Sequence, residues 1–232
     1  MKKKLKGLYS KSLAILIKDL STAKICKNNK KLSMPLLMCP KKAYQKAELK
    51  LLFVGQQINN WGHYRLTPGN YQAWIKSLMS EYSEYFDLEK VRRTHFWEVI
   101  QSVNEKLKNG GKTVSCLWTN INKINQSKIV QKQYYKSTIE EFDKILQGEI
   151  KIVRPDLVLF LTGPSFDNKI KDIFKGVVYK KKGRFNLKEF AMLSHADLPD
   201  CSFRIYHPNY LIRFKNRRYK KVLRQISSTK IK

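Results

Sequence analysis

A run of four apolar residues, Leu51 to Val54, ends abruptly at Gly55 and a polar loop. A strand that is buried on both faces of a parallel sheet has this continuous apolar character, whereas a half-exposed strand alternates between apolar and polar residues. The run therefore predicts a central strand over Lys50 to Val54. Similar apolar segments predict two further buried strands, at Thr113 to Trp118 and at Asp156 to Leu161.

Segments with helical spacing of apolar residues separate these strands, and their alternation predicts parallel strands joined by crossover helices. The predicted helices cover Tyr71 to Phe86, Arg92 to Leu107 and Tyr134 to Ile150. The C-terminal part adds a short helix at Asp167 to Phe174, a basic stretch at Tyr179 to Arg184, a strand at Arg204 to Tyr206 and a final helix at Leu211 to Ile226. We expect an α/β fold, a three-layer α/β/α sandwich with a central, mainly parallel four-stranded sheet.

The N-terminal segment differs in character from the rest. Residues 1–30 mix leucines with lysines, which predicts an amphipathic helix packed on the domain, and residues 32–47 form an irregular connection containing Pro35 and Pro40. We therefore divide the chain into residues 1–47 and an α/β domain at 48–232. No segment has the roughly 18 consecutive apolar residues of a membrane-spanning helix, so we expect a cytoplasmic protein with no membrane partner.

The 232 residues contain 47 Lys and Arg against 18 Asp and Glu, a net charge of +29. Such an excess favours binding to a polyanion, and DNA is the expected partner. A Lys-rich composition also arises from an AT-rich genome, and RNA or an anionic membrane surface is a further alternative.

The four cysteines, Cys26, Cys39, Cys116 and Cys201, are widely spread. No pair has zinc-site spacing, and an intracellular chain of this size does not need disulfides to stabilise its core. We expect reduced thiols, no metal and no cofactor.

Each predicted strand is followed by a polar segment rich in Gly, Pro or Asn. In open α/β sheets the ligand crevice lies at the carboxyl ends of the parallel strands, so these segments are candidates for a binding site. They are GQQINNWG at 55–62, TNINK at 119–123, TGPSFDN at 162–168 and YHPNYLIR at 206–213.

Together with their strands, the motifs LLFVGQQINNWG, CLWTNINKI, LVLFLTGPSFDN and YHPNYLIR resemble, in order, those of the uracil-DNA glycosylase superfamily. The resemblance covers roughly residues 48–226 and is most specific in HPNYLIR, which is similar to the H-P-S-x-L-x-R pattern of the superfamily's iron–sulfur branch. The chain lacks that branch's close cysteine pair, so no cluster is expected. The resemblance implies an enzyme that flips a nucleotide out of DNA and hydrolyses the bond between base and sugar.

The resemblance implies a catalytic role for Gln57, at the position where relatives carry an acidic residue or Asn that orients the attacking water. A neutral amide holds a water but is not a useful proton acceptor, so this departure predicts slower hydrolysis or a changed role. Asn59 and Asn60 are nearby substitutes. On the alternative interpretation, these amides only satisfy backbone groups of the loop.

Two further positions match residues that act on the flipped base. Asn120 matches the Asn that reads the Watson–Crick edge of the base, although Asn is also a common helix cap. His207 matches the catalytic His that donates a hydrogen bond to the base oxygen as negative charge develops there. The resemblance also places Gln56 and an aromatic residue, Trp61 or Tyr64, in contact with the base. Such an aromatic residue can equally pack against its own loop.

The remaining implied contacts are with the DNA backbone. The loop after His207 presses on the duplex in the family, which implies DNA-binding roles for Asn209, Tyr210 and Arg213. The following helix is strongly basic and includes Lys215, Arg217, Arg218, Lys220, Lys221 and Arg224; a second basic cluster covers Lys180 to Lys182 with Arg184. Taken singly, such runs are usually solvated surfaces.

The sequence thus predicts a monomeric DNA glycosylase acting on a flipped uracil or other deaminated base, in single- or double-stranded DNA. Two alternatives stay open: a non-catalytic module of the same fold that recognises a modified or flipped base, and a structural or anti-restriction protein that acts through charge alone.

Overall fold

The computed structural model describes residues 1–22, 35–57, 70–86, 94–108, 110–123, 136–213 and 217–229. They form an α/β fold around a six-stranded mixed sheet with the strand order β2-β1-β3-β6-β5-β4. The strands are β1 (Leu49–Gly55), β2 (Val114–Asn120), β3 (Leu157–Phe160), β4 (Val178–Lys181), β5 (Phe190–Ser194) and β6 (Cys201–Ile205). Strands β2, β1, β3 and β6 are parallel, whereas β5 runs antiparallel to both β6 and β4.

The helices are α1 (Lys2–Thr22), α2 (Lys42–Lys46), α3 (Tyr71–Tyr85), α4 (His95–Lys108), α5 (Lys136–Val153), α6 (Asp167–Ile173), α7 (Pro208–Arg213) and α8 (Arg217–Ser227). A short 3₁₀ turn, Pro164–Phe166, precedes α6. None of the helices in the described part of the chain is both long and apolar enough to cross a bilayer.

The apolar runs identified in the sequence form the centre of the sheet. Every residue of β3 and β6 is buried, as are six of the seven residues of β1. Burial of consecutive residues, whose side chains alternate between the two faces, means that both faces of these strands are covered. The prediction of parallel, fully buried central strands is confirmed.

The expected number of strands was wrong, because the sheet has six strands rather than four. Strand β4 falls in the stretch that the sequence marked only as basic, and three of its four residues are exposed. An exposed edge strand needs no apolar run, so its sequence resembles that of a solvated loop. Strand β5, which lies between β4 and β6, was missed with it.

The C-terminal helix also differs from its prediction. Instead of one helix from Leu211 to Ile226, the described residues form α7 and α8, and 214–216 lie outside them. Helix α7 begins earlier, at Pro208, because proline lacks an N–H and its fixed φ suits the first turn of a helix. Likewise, the connection expected to be irregular contains the short helix α2, which buries Tyr44.

Helix α1 packs on the domain as expected. It contacts α5 and α3, and its Leu5, Tyr9 and Leu13 are fully buried. A close approach occurs at Gly148 of α5, where an added Cβ atom would lie 2.8 Å from the Leu8 side chain. The N-terminal segment therefore contributes to the hydrophobic core.

Candidate base-binding site

The carboxyl ends of the four parallel strands lie side by side at one edge of the sheet. The Ile121 N–H donates to the Gly55 carbonyl at 2.9 Å, and the Gly163 N–H donates to the Ile205 carbonyl at 2.9 Å. Between them, the Gln56 side-chain amide donates to the Thr162 carbonyl at 2.7 Å. The four polar segments that follow the strands are therefore brought together.

Asn120, the last residue of β2, has a fixed side chain. Its Oδ1 accepts a hydrogen bond from the Trp118 indole N–H at 3.2 Å, which sets the orientation of the amide. The residue is 1% exposed, and its Nδ2 has no hydrogen-bond partner among the described residues. A buried donor without an acceptor is energetically costly, and a bound ligand would supply the missing acceptor.

Gly55, at the end of β1, provides the space beside this amide. A Cβ atom added to Gly55 would lie 2.3 Å from Asn120 Oδ1 and 3.2 Å from the Phe96 ring. Contacts of carbon with oxygen at 2.3 Å do not occur without a shift of one partner. Glycine is therefore required here for close packing rather than for an unusual backbone conformation.

Phe96 links Asn120 to His207. It lies in the first turn of α4, which packs on β2, α7 and α8. Its ring lies 6.0 Å from the His207 ring, centroid to centroid, with an interplanar angle of 26°, and it meets the Trp118 ring edge-on at 6.2 Å. In the sequence, Phe96 is only one of the apolar residues with helical spacing in the predicted helix Arg92 to Leu107. Because Asn120 is closed to solvent, a ligand reaches it only after a neighbouring side chain moves, and the half-buried Phe96 is such a neighbour.

His207 follows β6 and is half-buried. The Asn209 backbone N–H donates to Nδ1 at 3.3 Å, which leaves the imidazole hydrogen on Nε2. Burial lowers the pKa of His207. The residue is therefore held as a neutral imidazole that donates from Nε2.

Of the residues expected in the first loop, the structure describes two. The Gln56 side chain bridges the ends of β1 and β3 through its bond to Thr162, and Gln57 is exposed. Asn59, Asn60, Trp61 and Tyr64 lie outside the described residues.

Two charged residues of the motifs are occupied by internal contacts. Lys123, the basic residue of TNINK, is fully buried and forms an ion pair with Glu149. Asp167, the carboxylate of TGPSFDN, accepts two hydrogen bonds from the Arg204 guanidinium, each at 2.8 Å. Each charge is paired within the protein, so neither serves as a free charge at the strand ends.

Basic side chains from separate parts of the chain meet at α8. A cavity of about 360 Å³ between α4 and α8 has three basic lining residues, Lys106, Lys220 and Arg224, against one acidic residue, Glu98, and His95 also lines it. The second basic cluster spans the end of β4 and the turn after it, and this turn adjoins the same helix, because a Cβ atom at Gly183 would lie 3.7 Å from Gln225 Oε1.

The structure describes the side chains of only two of the other residues expected to contact DNA. Asn209 is exposed, and Tyr210 is 54% exposed with its ring stacked on Tyr206 at 5.9 Å. The backbone of Arg213 lies in α7 and that of Arg217 and Arg218 in α8. The side chains of these three arginines, and the whole of Lys215, lie outside what the structure describes.

No protein-family model, curated protein or solved structure matches this chain. Within the described ranges, no group of three or more His, Cys, Asp and Glu side chains is arranged to hold a metal ion. The geometry of Asn120, Gly55, Phe96 and His207 therefore carries the functional argument.

Proposed function

We propose that the protein is a DNA glycosylase of the uracil-DNA glycosylase type, with that superfamily's three-layer arrangement, acting on a deaminated base. The observation that carries the proposal is the buried, unpartnered Nδ2 of Asn120 at the same sheet edge as the neutral His207. Phe96 lies between them and offers an aromatic face to an extruded base.

The orientation of Asn120 favours a base with a carbonyl oxygen next to a ring N–H, a feature that uracil and hypoxanthine share with thymine and guanine, over a base with an amino group there. Its free Nδ2 donates a hydrogen bond, and Oδ1 keeps a second lone pair beside its bond from Trp118. Uracil and hypoxanthine present a carbonyl oxygen next to a ring N–H, which complements this donor and acceptor. Cytosine and adenine present an amino group where the carbonyl is required, so two donors would face each other.

His207 supports departure of the base. Hydrolysis breaks the bond between the base nitrogen and C1′ of the sugar, the bonding electrons leave with the base, and water adds to C1′; the proton that this water loses passes through solvent to the departed base anion. The Nε2–H of His207 donates to the base oxygen on which negative charge accumulates. A neutral donor suits this role because it retains its proton after the base leaves.

Gln57 positions the attacking water in this scheme. A side-chain amide orients water by hydrogen bonds but does not remove its proton. The attack of this water on C1′ therefore depends on the positive, oxocarbenium character that the sugar develops. The neutral amide also favours a second candidate function, a module that binds a flipped base without excising it. Activity separates the two candidates.

The test uses end-labelled oligonucleotides that contain uracil, hypoxanthine, xanthine or a mismatched thymine. After incubation with the protein, alkali cleaves the strand at any abasic site. We expect cleavage at a deaminated base, reduced about 100-fold or more in His207→Ala, as for loss of a donor to a developing anion.

The matched control is His195→Ala. His195 lies in the turn between β5 and β6, where its Nδ1 accepts a bond from the Asp197 backbone N–H, and it should not affect excision. Cleavage that persists in His207→Ala would contradict the proposed role of His207. Absence of cleavage on all four substrates, with DNA binding intact, would favour the recognition module.

A further inference from the structure

A second cavity lies away from the candidate base-binding site, along the amino-terminal half of β2. It has a volume of about 510 Å³ and is lined by Val114–Leu117 of β2 together with side chains of α2, α3 and α4. Asn120, at the other end of β2, is not part of its lining. We refer to this cavity as the β2 groove.

Strand β2 is at the edge of the sheet, so one side of its backbone has no partner strand among the described residues. The Leu49 N–H donates to the Thr113 carbonyl, and the Ile121 N–H donates to the Gly55 carbonyl, so odd-numbered residues of this stretch face β1. Even-numbered residues therefore direct their N–H and C=O groups outward.

Two even-numbered residues of β2 show what these outward N–H and C=O groups contact. The Tyr82 hydroxyl donates to the Trp118 carbonyl at 2.8 Å and accepts from the Trp118 N–H at 3.0 Å. Cys116, two residues earlier, lines the β2 groove. Its outward N–H and C=O have no partner among the described residues, and they are placed to pair with an added strand.

The walls of the groove also contain buried polar atoms that lack partners. Asn104 is 4% exposed and Tyr44 is 1% exposed, and both line the groove. The Asn104 Oδ1 and the Tyr44 hydroxyl have no hydrogen-bond partner within the described part of the chain. An occupant that supplies N–H donors and carbonyl acceptors would satisfy both, and a peptide backbone supplies these groups at regular intervals.

The charge of the lining selects the side chains of the occupant. Lys41 and Lys108 line the groove and are exposed, and they outnumber the one acidic lining residue, Glu105. A second copy of the chain is disfavoured because each copy carries a net charge of +29. An acidic segment complements the groove.

We propose that the β2 groove binds an extended acidic peptide segment of a partner protein as an added strand beside Val114–Leu117. At about 3.3 Å per residue, these four positions accommodate roughly four peptide residues. Pairing of the peptide backbone with the Cys116 backbone and with the Asn104 side chain provides the affinity, and Lys41 and Lys108 select carboxylates. This inference does not depend on the proposed glycosylase activity.

The test measures binding of a fluorescein-labelled, acetylated and amidated peptide, Asp-Val-Asp-Val-Asp, by fluorescence anisotropy at physiological salt. The control peptide is N-methylated at its three central residues, which keeps the charge but removes three backbone N–H donors. We expect saturable binding of the first peptide and at least about tenfold weaker binding of the second.

Variants of exposed lysines locate the site without disturbing the core. We expect Lys41→Glu/Lys108→Glu to weaken binding of the unmodified peptide about tenfold or more. The matched control is Lys42→Glu/Lys46→Glu, which changes two exposed lysines of α2 that do not line the groove and should have little effect. Asn104→Leu, checked for folding by thermal denaturation, should also weaken binding.

Four results would each overturn the inference. Equal affinity for the N-methylated peptide would show that charge alone attracts the probe. Equal losses in the two lysine double variants would place the peptide elsewhere. Absence of saturable binding, or a dimer in sedimentation that the peptide does not dissociate, would exclude an acidic peptide as the occupant.

Discussion

Gly55 controls the space in which the Asn120 amide lies. In Gly55→Ala, the added methyl group would lie 2.3 Å from Asn120 Oδ1, and the short Asn side chain is already held by Trp118. We expect the free energy of unfolding to fall by about 1–3 kcal/mol, as for overpacking of a core, and any base excision to be lost with the displaced amide. Urea denaturation and the oligonucleotide assay measure the two effects.

The control for this substitution is Gly7→Ala in α1, where an added Cβ atom has no neighbour within 4 Å. Alanine in a helix is favoured over glycine by about 1 kcal/mol, so this variant should be as stable as the parent or more so. A Gly55→Ala protein with unchanged stability and excision would contradict the close packing of Gly55 against Asn120.

The protonation of His207 predicts a pH dependence. Burial lowers the pKa of its imidazole in the folded protein, so the neutral form persists below the ordinary histidine value of about 6.5. We expect the acidic limb of the excision rate, and the NMR titration midpoint of His207, to lie below that value. A midpoint above it would contradict the neutral donor.

The same pKa shift affects stability. Because the unfolded chain binds a proton at His207 more readily than the folded chain, acidification favours unfolding. The contribution of neutral His207 to the free energy of unfolding is fully present above the pKa that His207 has in the unfolded chain. It is lost as the pH falls towards the lower pKa that His207 has in the folded protein. In His207→Ala this part of the pH dependence should be absent.

The individual site residues differ in how well the sequence predicts them. Asn120 and His207 directly follow apolar runs, and parallel strands place such positions at one edge. Phe96 follows no strand. Its place beside Gly55 depends on how α4 packs against β2 and α7, and its helical spacing indicates only a core residue. The sequence pattern that could have drawn attention to Phe96 is that it is followed directly by a second aromatic residue, Trp97, at the start of α4.

At the scale of elements, a buried polar network joins α1, α5 and the turn after β2. Glu149 of α5 forms an ion pair with Lys123, accepts a hydrogen bond from Thr119 at 3.0 Å, and accepts another from the Tyr9 hydroxyl at 2.8 Å. The Tyr9 hydroxyl in turn accepts from the Met38 backbone N–H at 2.9 Å. The network fixes the turn that follows Asn120.

Removing one charge of this network should be more damaging than removing both. We expect Lys123→Met to lower the free energy of unfolding by about 3–5 kcal/mol, because it leaves Glu149 buried without its cation. Lys123→Met/Glu149→Leu removes both charges and should recover part of that loss. Denaturant titration of the two variants measures the difference; equal stabilities would contradict the ion pair.

The elements also show where sequence patterns stop being informative. Residues 51–54 and 157–160 are buried on both faces, so their composition alone identifies them as strands. Strand β4 has exposed lysines, and only its pairing with β5 defines it. Long-range backbone pairing of this kind leaves little trace in the local sequence.

The net charge of +29 includes basic residues on two separate surfaces, α2 and α8, which lie near opposite ends of the parallel strands. The lysines of α2 precede β1 and so lie near the amino-terminal ends of the parallel strands. Lys220 and Arg224 of α8 line the cavity shared with α4, whose Phe96 contacts His207 at the carboxyl-terminal ends. If DNA enters at the strand ends, α8 and not α2 contacts its phosphates.

A salt titration of DNA binding distinguishes these surfaces. The slope of log K against log salt is about −0.9 per phosphate contact for duplex DNA, so Lys220→Gln/Arg224→Gln should reduce its magnitude by up to about 1.8. Lys42→Gln/Lys46→Gln removes the same charge from α2 and should leave the slope nearly unchanged. Equal effects of the two variants would mean that DNA is bound through net charge without a preferred surface, and a slope near zero in the parent would exclude phosphate-mediated binding altogether.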